Sequence, residues 1–246
     1  ELAVIGAGPA GLALALHAAR ALARAVGDIL GQSIVVMNNP VGSGTAALTA
    51  LAHSAPDGYN LAVLGSTQVR NQYMQKDYPI SVLNDFTPIA HYMMYQFGIL
   101  VRADAKWQTF QEFMTFAKQN PEKISIGISA FGTPQHFTLE RLAWAEKIKW
   151  ESVPFNGSPN AALLGGHIDA IAGNPDWAPL VESGQFRLLA VSGSTRMAKF
   201  PSAPTLKELG YDINEPGFNA IVGPKGMDPA VVHKIAEAFR KVVEDP

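Results

Sequence analysis

Three glycine-containing stretches of this chain could hold an anion without a single lysine or arginine. They are Gly6-Ala7-Gly8-Pro9-Ala10-Gly11, Gly65-Ser66-Thr67 and Ser129-Ala130-Phe131-Gly132-Thr133. Each follows a strand-like apolar run, and the first and third lead toward a helix-like one. A turn at the carboxyl end of a parallel strand, feeding a helix N-terminus, offers unpaired backbone N–H groups and the positive end of the helix dipole. A carboxylate there gains charge-assisted hydrogen bonds. The candidate ligand-binding residues on these turns are Gly8, Pro9, Ala10, Ser66, Thr67, Ser129, Phe131, Gly132 and Thr133. The bland alternative for each is a helix cap or a turn residue.

Two more stretches frame such a site. Phe155-Asn156-Gly157-Ser158 follows a short strand-like segment, with Phe155 either a pocket wall or part of the core. Asn174-Pro175-Asp176-Trp177 follows another. Asp176 either receives a ligand amine or hydroxyl or caps the next helix. His136, one turn into a helix, either bonds the turn before it or reaches the ligand.

Nothing in the sequence assembles a catalytic centre. The histidines at 17, 53, 91, 136, 167 and 233 show no H-x-x-x-H spacing, so no metal is expected. There is no Gly-x-Ser-x-Gly elbow; Ser192-Gly193-Ser194 lacks its flanking glycines. No carboxylate pair stands out for acid–base work. The protein is therefore expected not to be an enzyme and to carry no cofactor.

One motif argues otherwise. Gly6 to Gly11 fits G-x-G-x-x-G between a strand and a helix, and with Ala3-Val4-Ile5 it resembles the FAD-binding start of flavin monooxygenases. The alternative function is thus an FAD- or NAD-dependent oxidoreductase. That fingerprint needs an acidic residue after the second strand, about twenty residues on, for the ribose hydroxyls. Here the strand ends Met37-Asn38-Asn39, without a carboxylate and farther along than the motif requires. No second nucleotide motif follows.

Composition narrows the partners. The chain has 246 residues, 48% hydrophobic and 16% charged, enough for one large domain or two small lobes. The net charge of −2, with no basic run, argues against nucleic acid. The absence of cysteine excludes disulfides, thiolate metal sites and cysteine nucleophiles, and suits an oxidising compartment. The longest apolar stretch, 5–26, is interrupted by Pro9, His17, Arg20 and Arg24, so no membrane span is expected. The opening residues do not have the form of a secretory leader.

Elements alternate along the chain. Strands are expected at 2–5, 33–37 and 61–64, with helices at 9–30 and 45–52 between them; the β-α-β-α-β rhythm implies a parallel sheet. Further strands are expected at 99–101, 124–128, 152–154, 168–172, 187–191 and 218–222. Helices are expected at 107–119, with Thr109 as N-cap, and at 135–146, 159–165 and 230–244. The expected fold is α/β, two-lobed and periplasmic-binding-protein-like (type II), with mixed sheets and flanking helices. Lobe I takes residues 1–100 plus 220–246 and lobe II residues 101–219. Chain crossings near Val101-Arg102 and near Phe218 form a hinge, and the lobes close on a ligand in the cleft between them.

From about Ala19 onward the chain resembles the solute-binding subunits of tripartite tricarboxylate transporters, the Bug family. Asn38-Asn-Pro-Val-Gly-Ser-Gly-Thr45 is similar to that family's Asn-Arg-Pro-Gly-Ala-Gly-Gly-Thr turn, and Pro56-Asp-Gly-Tyr59 and Asp85-Phe-Thr-Pro-Ile89 match it outright. Ile126 to His136, Val153-Pro-Phe-Asn-Gly157, Gly165-Gly-His-Ile-Asp169, Gly184 to Val191 and Pro201 to Gly210 follow in order. The chain departs from the pattern in several places. The first loop's Gly-Gly and later Asp are missing near Leu16, Met37 replaces a Glu, and Asn39 an Arg. Asn156 replaces a Lys, and the chain stops at Pro246, short of a usual C-terminal segment. The N-terminal stretch is atypical and flavoprotein-like. The resemblance implies a periplasmic solute-binding protein. It would capture a small carboxylate-containing ligand and deliver it to integral-membrane transporter subunits, acting as a monomer. It also implies that turns in each lobe hold the ligand's carboxylates, often through water.

Overall fold

The computed structural model describes the backbone of residues 2–7, 12–39, 41–155 and 157–244, and side chains from residue 20 onward apart from Ser43. The chain divides into two compact α/β units. One comprises residues up to Met94 together with the stretch from Phe218 onward; the other runs Tyr95–Gly217. The strand at 98–102 therefore lies wholly inside the second unit, and the chain passes between units before it rather than near Val101.

The first unit opens with β1 (Leu2–Ala7), α1 (Leu12–Leu30), β2 (Ile34–Asn39), a 3-10 turn (Val41–Gly44), α2 (Thr45–Ala52) and β3 (Asn60–Gly65). Then come α3 (Ser66–Met74), α4 (Val82–Asp85) and β4 (Phe86–Tyr95). The second unit holds β5 (Gly98–Arg102), α5 (Phe110–Gln119), β6 (Ser125–Ile128), α6 (Pro134–Glu146) and β7 (Glu151–Pro154). It continues with α7 (Asn160–Leu164), β8 (Ala170–Gly173), a 3-10 turn (Pro175–Trp177), α8 (Ala178–Glu182) and β9 (Phe186–Val191). β10 (Gly217–Pro224) and α9 (Pro229–Glu244) return to the first unit.

Each unit is built on a five-stranded sheet among the described residues, ordered β2-β1-β3-β10-β4 and β7-β6-β8-β5-β9. β1 runs parallel to β2 and β3, and β6 parallel to β7 and β8. β10 is antiparallel to β3, and β5 to β8 and β9, so both sheets are mixed.

Both faces of both sheets are covered, which explains the continuous apolar strands. Along β5, Ile99 and Val101 join the cluster formed by Phe113, Ile126, Ile128, Leu139 and Leu142. Leu100 between them joins Leu163, Ile171 and Trp177 on the opposite face. Along β3, Leu61 and Val63 pack with Val26, Ile235 and Phe239, while Ala62 and Leu64 pack with Leu48, Leu51 and Phe86. The period of two in the strand separates two cores per unit.

Helix ends follow local chemistry. Thr109 caps α5 by accepting from Glu112 N at 3.2 Å, and Asp228 Oδ1 accepts from Ala230 N at 2.7 Å where α9 begins. Among the elements that were not expected are α3 and β4. α3 carries buried Ser66, Gln68 and Asn71 and no apolar stripe, so its sequence lacks the amphipathic signal. β4 contains Pro88; it lies at the end of the strand order, where a missing N–H is tolerated.

Candidate ligand-binding site

In the second unit the neighbouring parallel strands β7, β6 and β8 end at Pro154, Ile128 and Gly173. The turns leaving them, 129–133, 155–159 and 174–177, therefore leave one edge of the sheet side by side. In open α/β sheets this edge is where ligands are bound.

The turn after β6 is held by a dense set of local bonds. Thr133, 2% exposed, is the N-cap of α6: its Oγ1 accepts from His136 N at 3.4 Å and donates to Ala130 O at 2.8 Å. Pro134 occupies the first turn, where its missing N–H costs nothing. Gly132 has φ +75°, the left-handed region that favours glycine. Its N–H donates to His136 Nδ1 at 3.3 Å, so that nitrogen carries no proton. Burial holds the imidazole below its ordinary pKa, opposed by Glu140, whose Oε1 lies 3.6 Å from Nε2. Phe131 is exposed and packs edge-on against His136, centroids 5.1 Å apart. Ser129 is buried and its Oγ has no partner among the described residues. Thr133 and His136 are thus committed to shaping the turn, while Ser129 has an unused hydroxyl.

Two side chains that the sequence did not single out join the three turns. Gln135, 2% exposed in the first turn of α6, donates from Nε2 to Asn174 Oδ1 at 2.5 Å. Asn160, the first residue of α7, donates from Nδ2 to Asp176 Oδ2 at 3.2 Å. Ser158 also hydrogen-bonds Asp176. Of the residues expected here, Ser129, Thr133, Asn174 and Asp176 are brought to one edge. Gln135 had a signal, its place just inside a capped helix; Asn160 had none beyond following Pro159.

Asp176 has an accessible surface, yet burial raises its pKa above the ordinary carboxylate range, with the Ser158 bond opposing. The two facts agree if the carboxylate is reached by solvent while protein encloses most of its surroundings. Phe155 is 36% exposed, and its ring lies against Gly127, where an added Cβ would be 3.2 Å from Cε2. Its ring therefore packs on β6 while part of it stays exposed. An added Cβ at Gly157 would lie 4.0 Å from the Phe155 carbonyl oxygen. Asn156 lies outside the described residues.

In the first unit β1, β2 and β3 likewise present their carboxyl ends together. Gly8, Pro9 and Ala10 lie outside the described residues. Ser66 and Thr67 do not form a loop; they are the first two residues of α3. Ser66 is 4% exposed and Thr67 partly buried. Gln68 Oε1 accepts from Gly65 N at 3.0 Å, closing the helix start.

The most recognisable sequence motifs lie elsewhere and are structural. In Pro56–Tyr59, Asp57 Oδ1 accepts from Tyr59 N at 3.0 Å, and Gly58 at φ +88° sits against Val231 of α9. In Asp85–Ile89, Asp85 O accepts from Lys225 N at 2.9 Å and Thr87 Oγ1 donates to Pro224 O at 2.9 Å, tying β4 to the end of β10. A cavity of about 590 Å³ lies along α1 and the start of β2, lined by Arg20, Arg24, Asp28 and Gln32. It is at the amino end of β2, away from the strand-end turns. Among the described residues no three His, Asp or Glu side chains are grouped to hold a metal.

Comparison with known proteins gives the architecture a family. The model of the tripartite tricarboxylate transporter family receptor matches residues 18–246. The UPF0065 protein in the gbd 5′ region of Cupriavidus necator is 39% identical over 231 residues, covering 92% of this chain and 70% of that protein. A solved periplasmic transporter superposes with TM-score 0.89 at 27% identity, covering 100% of this chain and 83% of its own. MatC from Rhodopseudomonas palustris with bound malate shares the fold, with TM-score 0.84 at 24% identity, covering 100% of this chain and 85% of its own. Matches that begin at residue 18 or span the whole chain give no support to an added flavoprotein feature at the N-terminus. The chain belongs to the tripartite tricarboxylate transporter receptor family: it is a two-lobed periplasmic solute-binding protein, not an enzyme.

Proposed function

We propose that this receptor captures a small carboxylate-containing ligand at its strand-end turns and delivers it to the integral-membrane subunits of a tripartite tricarboxylate-type transporter. The observation that carries this reading is the second unit's edge. There, α6 begins at a capped glycine turn, with the Ser129 hydroxyl and the Gln135 Oε1 buried and without a partner among the described residues. A long helix N-terminus with spare polar atoms suits a carboxylate, directly or through water. The malate in MatC, a protein of the same fold, is of the same chemical class.

The residues proposed to line the site are Ser129, Phe131, Gly132, Thr133, Phe155, Gly157, Asn174 and Asp176, with Gln135 and Asn160 added. In the first unit Ser66 and Thr67 are proposed, with Gly8, Pro9, Ala10 and Asn156 retained from the sequence. The protein is proposed to act as a monomer. The Gly6–Gly11 stretch is proposed to serve the family's first loop despite its flavoprotein-like form.

Calorimetry of the purified protein against dicarboxylates, hydroxy acids, acidic amino acids and aromatic acids tests the reading. Saturable binding of at least one class, weakened by Gln135→Ala, is the expected result. A folded sample that binds none, or a yellow one with flavin absorption bands, overturns it.

A further inference from the structure

Asn160 has an amide whose orientation is forced. Its Nδ2 donates to the Asp176 carboxylate, which when ionised only accepts, so the Asn160 Oδ1 must be the end left over. That Oδ1 is buried and has no partner among the described residues. Gln135 in α6 carries a second such atom: its Nε2 is placed on Asn174 Oδ1, and its buried Oε1 has no partner among the described residues. Asn174 and Asp176 are on the same short turn after β8, so both amides are anchored to that turn.

Native proteins rarely leave buried polar atoms unpaired. The orphans here are two acceptors, Asn160 Oδ1 and Gln135 Oε1, and the accessible Asp176 carboxylate bonded to Asn160 also accepts. They ask for a donor. A ligand's carboxylate cannot supply one. It would be repelled by Asp176, and it belongs with the N–H groups and hydroxyl of the Ser129–Thr133 turn. A group that can is a hydroxyl or an ammonium.

We infer that the turns after β7 and β8, through Asp176, Asn160 and Gln135, form an acceptor subsite for a hydroxyl or ammonium group borne by the carboxylate ligand. The receptor would therefore select hydroxy or amino acids over plain carboxylates of the same length. This deepens the function proposed above and rests on it. The recognition principle is asymmetric: an analogue lacking the donor leaves buried acceptors unpaired, which discriminates more strongly than an extra methylene does. Asp176 keeps an accessible surface, so a donor on an entering ligand can reach its carboxylate.

The test is calorimetry on matched sets: succinate, malate and aspartate; glutarate, 2-hydroxyglutarate and glutamate; phenylacetate, mandelate and phenylglycine. In whichever set binds, a donor-bearing member should bind about tenfold or more tighter than the plain one. Asp176→Ala should bring that ratio toward one, by weakening the donor-bearing member far more than the plain one. Asp176→Asn separates the two donors: it removes charge but keeps an acceptor. An ammonium ligand then loses its preference, and a hydroxyl ligand keeps most of it. Thermal melts of both variants establish that they fold; a merely structural role for Asp176 would weaken all members alike, and that outcome overturns the inference. Equal binding of plain and donor-bearing members by the unmodified protein also overturns it, with the carboxylate reading intact. No binding in any set overturns both.

Discussion

Gln135 Nε2 meets Asn174 Oδ1 at 2.5 Å, between two residues 2% and 7% exposed, and so fastens the start of α6 to the turn after β8. The two residues are far apart in sequence, and the bond holds the edge of three parallel strands in one arrangement. Removing the glutamine leaves a buried amide oxygen without its donor. Gln135→Ala is expected to cost about 1–3 kcal/mol of stability, and to weaken carboxylate binding as the turn loosens. Urea titration and calorimetry read the two effects separately.

Ile126 is fully buried in β6, between the helices on its face and the strands beside it. Ile126→Ala removes packing that neighbours on a sheet cannot easily refill. A loss of about 2–5 kcal/mol is expected. The urea midpoint should fall with its slope unchanged, since the surface exposed on unfolding stays similar.

Gly58 is expected to tolerate no side chain. At φ +88°, an added Cβ would lie 2.5 Å from Val231 Cγ1. Gly58→Ala should cost about 1–3 kcal/mol through the backbone alone, and more through the clash. In a Val231→Ala background the clash is gone but the backbone strain stays. The penalty should then fall without vanishing, as thermal melts of the four proteins in that cycle would record.

His136 gives the 129–136 turn a pH dependence. Burial lowers its pKa in the folded chain, and its Nδ1 accepts from Gly132 N, a bond that needs the neutral ring. The unfolded imidazole, near 6.5, takes up a proton first as pH falls. The unfolded state is then the better proton binder, and stability declines as pH drops below about 6.5. The loss levels off once pH is below the folded value as well. Melting temperatures at pH 7.5 and 5.5 should differ more in the unmodified protein than in His136→Gln, which does not titrate.

Ligand binding itself should stabilise the protein. At a free ligand concentration one hundredfold above Kd, mass action adds about 2.7 kcal/mol. Differential scanning calorimetry across a concentration series should show a melting temperature that climbs with the logarithm of ligand concentration for a true ligand and stays flat for a non-binder.

The sequence by itself determined the periodic elements and the family. Apolar-rich runs such as 124–128 and 187–191 are mostly buried, and their short length between turn residues marks them as strands. The capped starts at Thr109, Thr133 and Asp228 mark helices because local oxygens satisfy local N–H groups. Information of that kind lies within a few residues and can be read without coordinates. It also placed Ser129, Thr133, Asn174 and Asp176 at strand ends.

Only the tertiary structure decided what those residues do there. α3 and β4 went unread because their signals are contextual: a polar helix buried beside β3, and a proline tolerated on a strand at the end of the sheet order. The same holds for Gln135 and Asn160. Their importance comes from bonds to Asn174 and Asp176, 39 and 16 residues away in sequence. Side-chain amides look alike wherever they occur in a sequence. Which end is left unsatisfied depends on strands pairing as β7-β6-β8 and on burial that removes water as a substitute partner. The conspicuous Pro56–Tyr59 and Asp85–Ile89 motifs gave the family its signature, yet their bonds hold the first unit together.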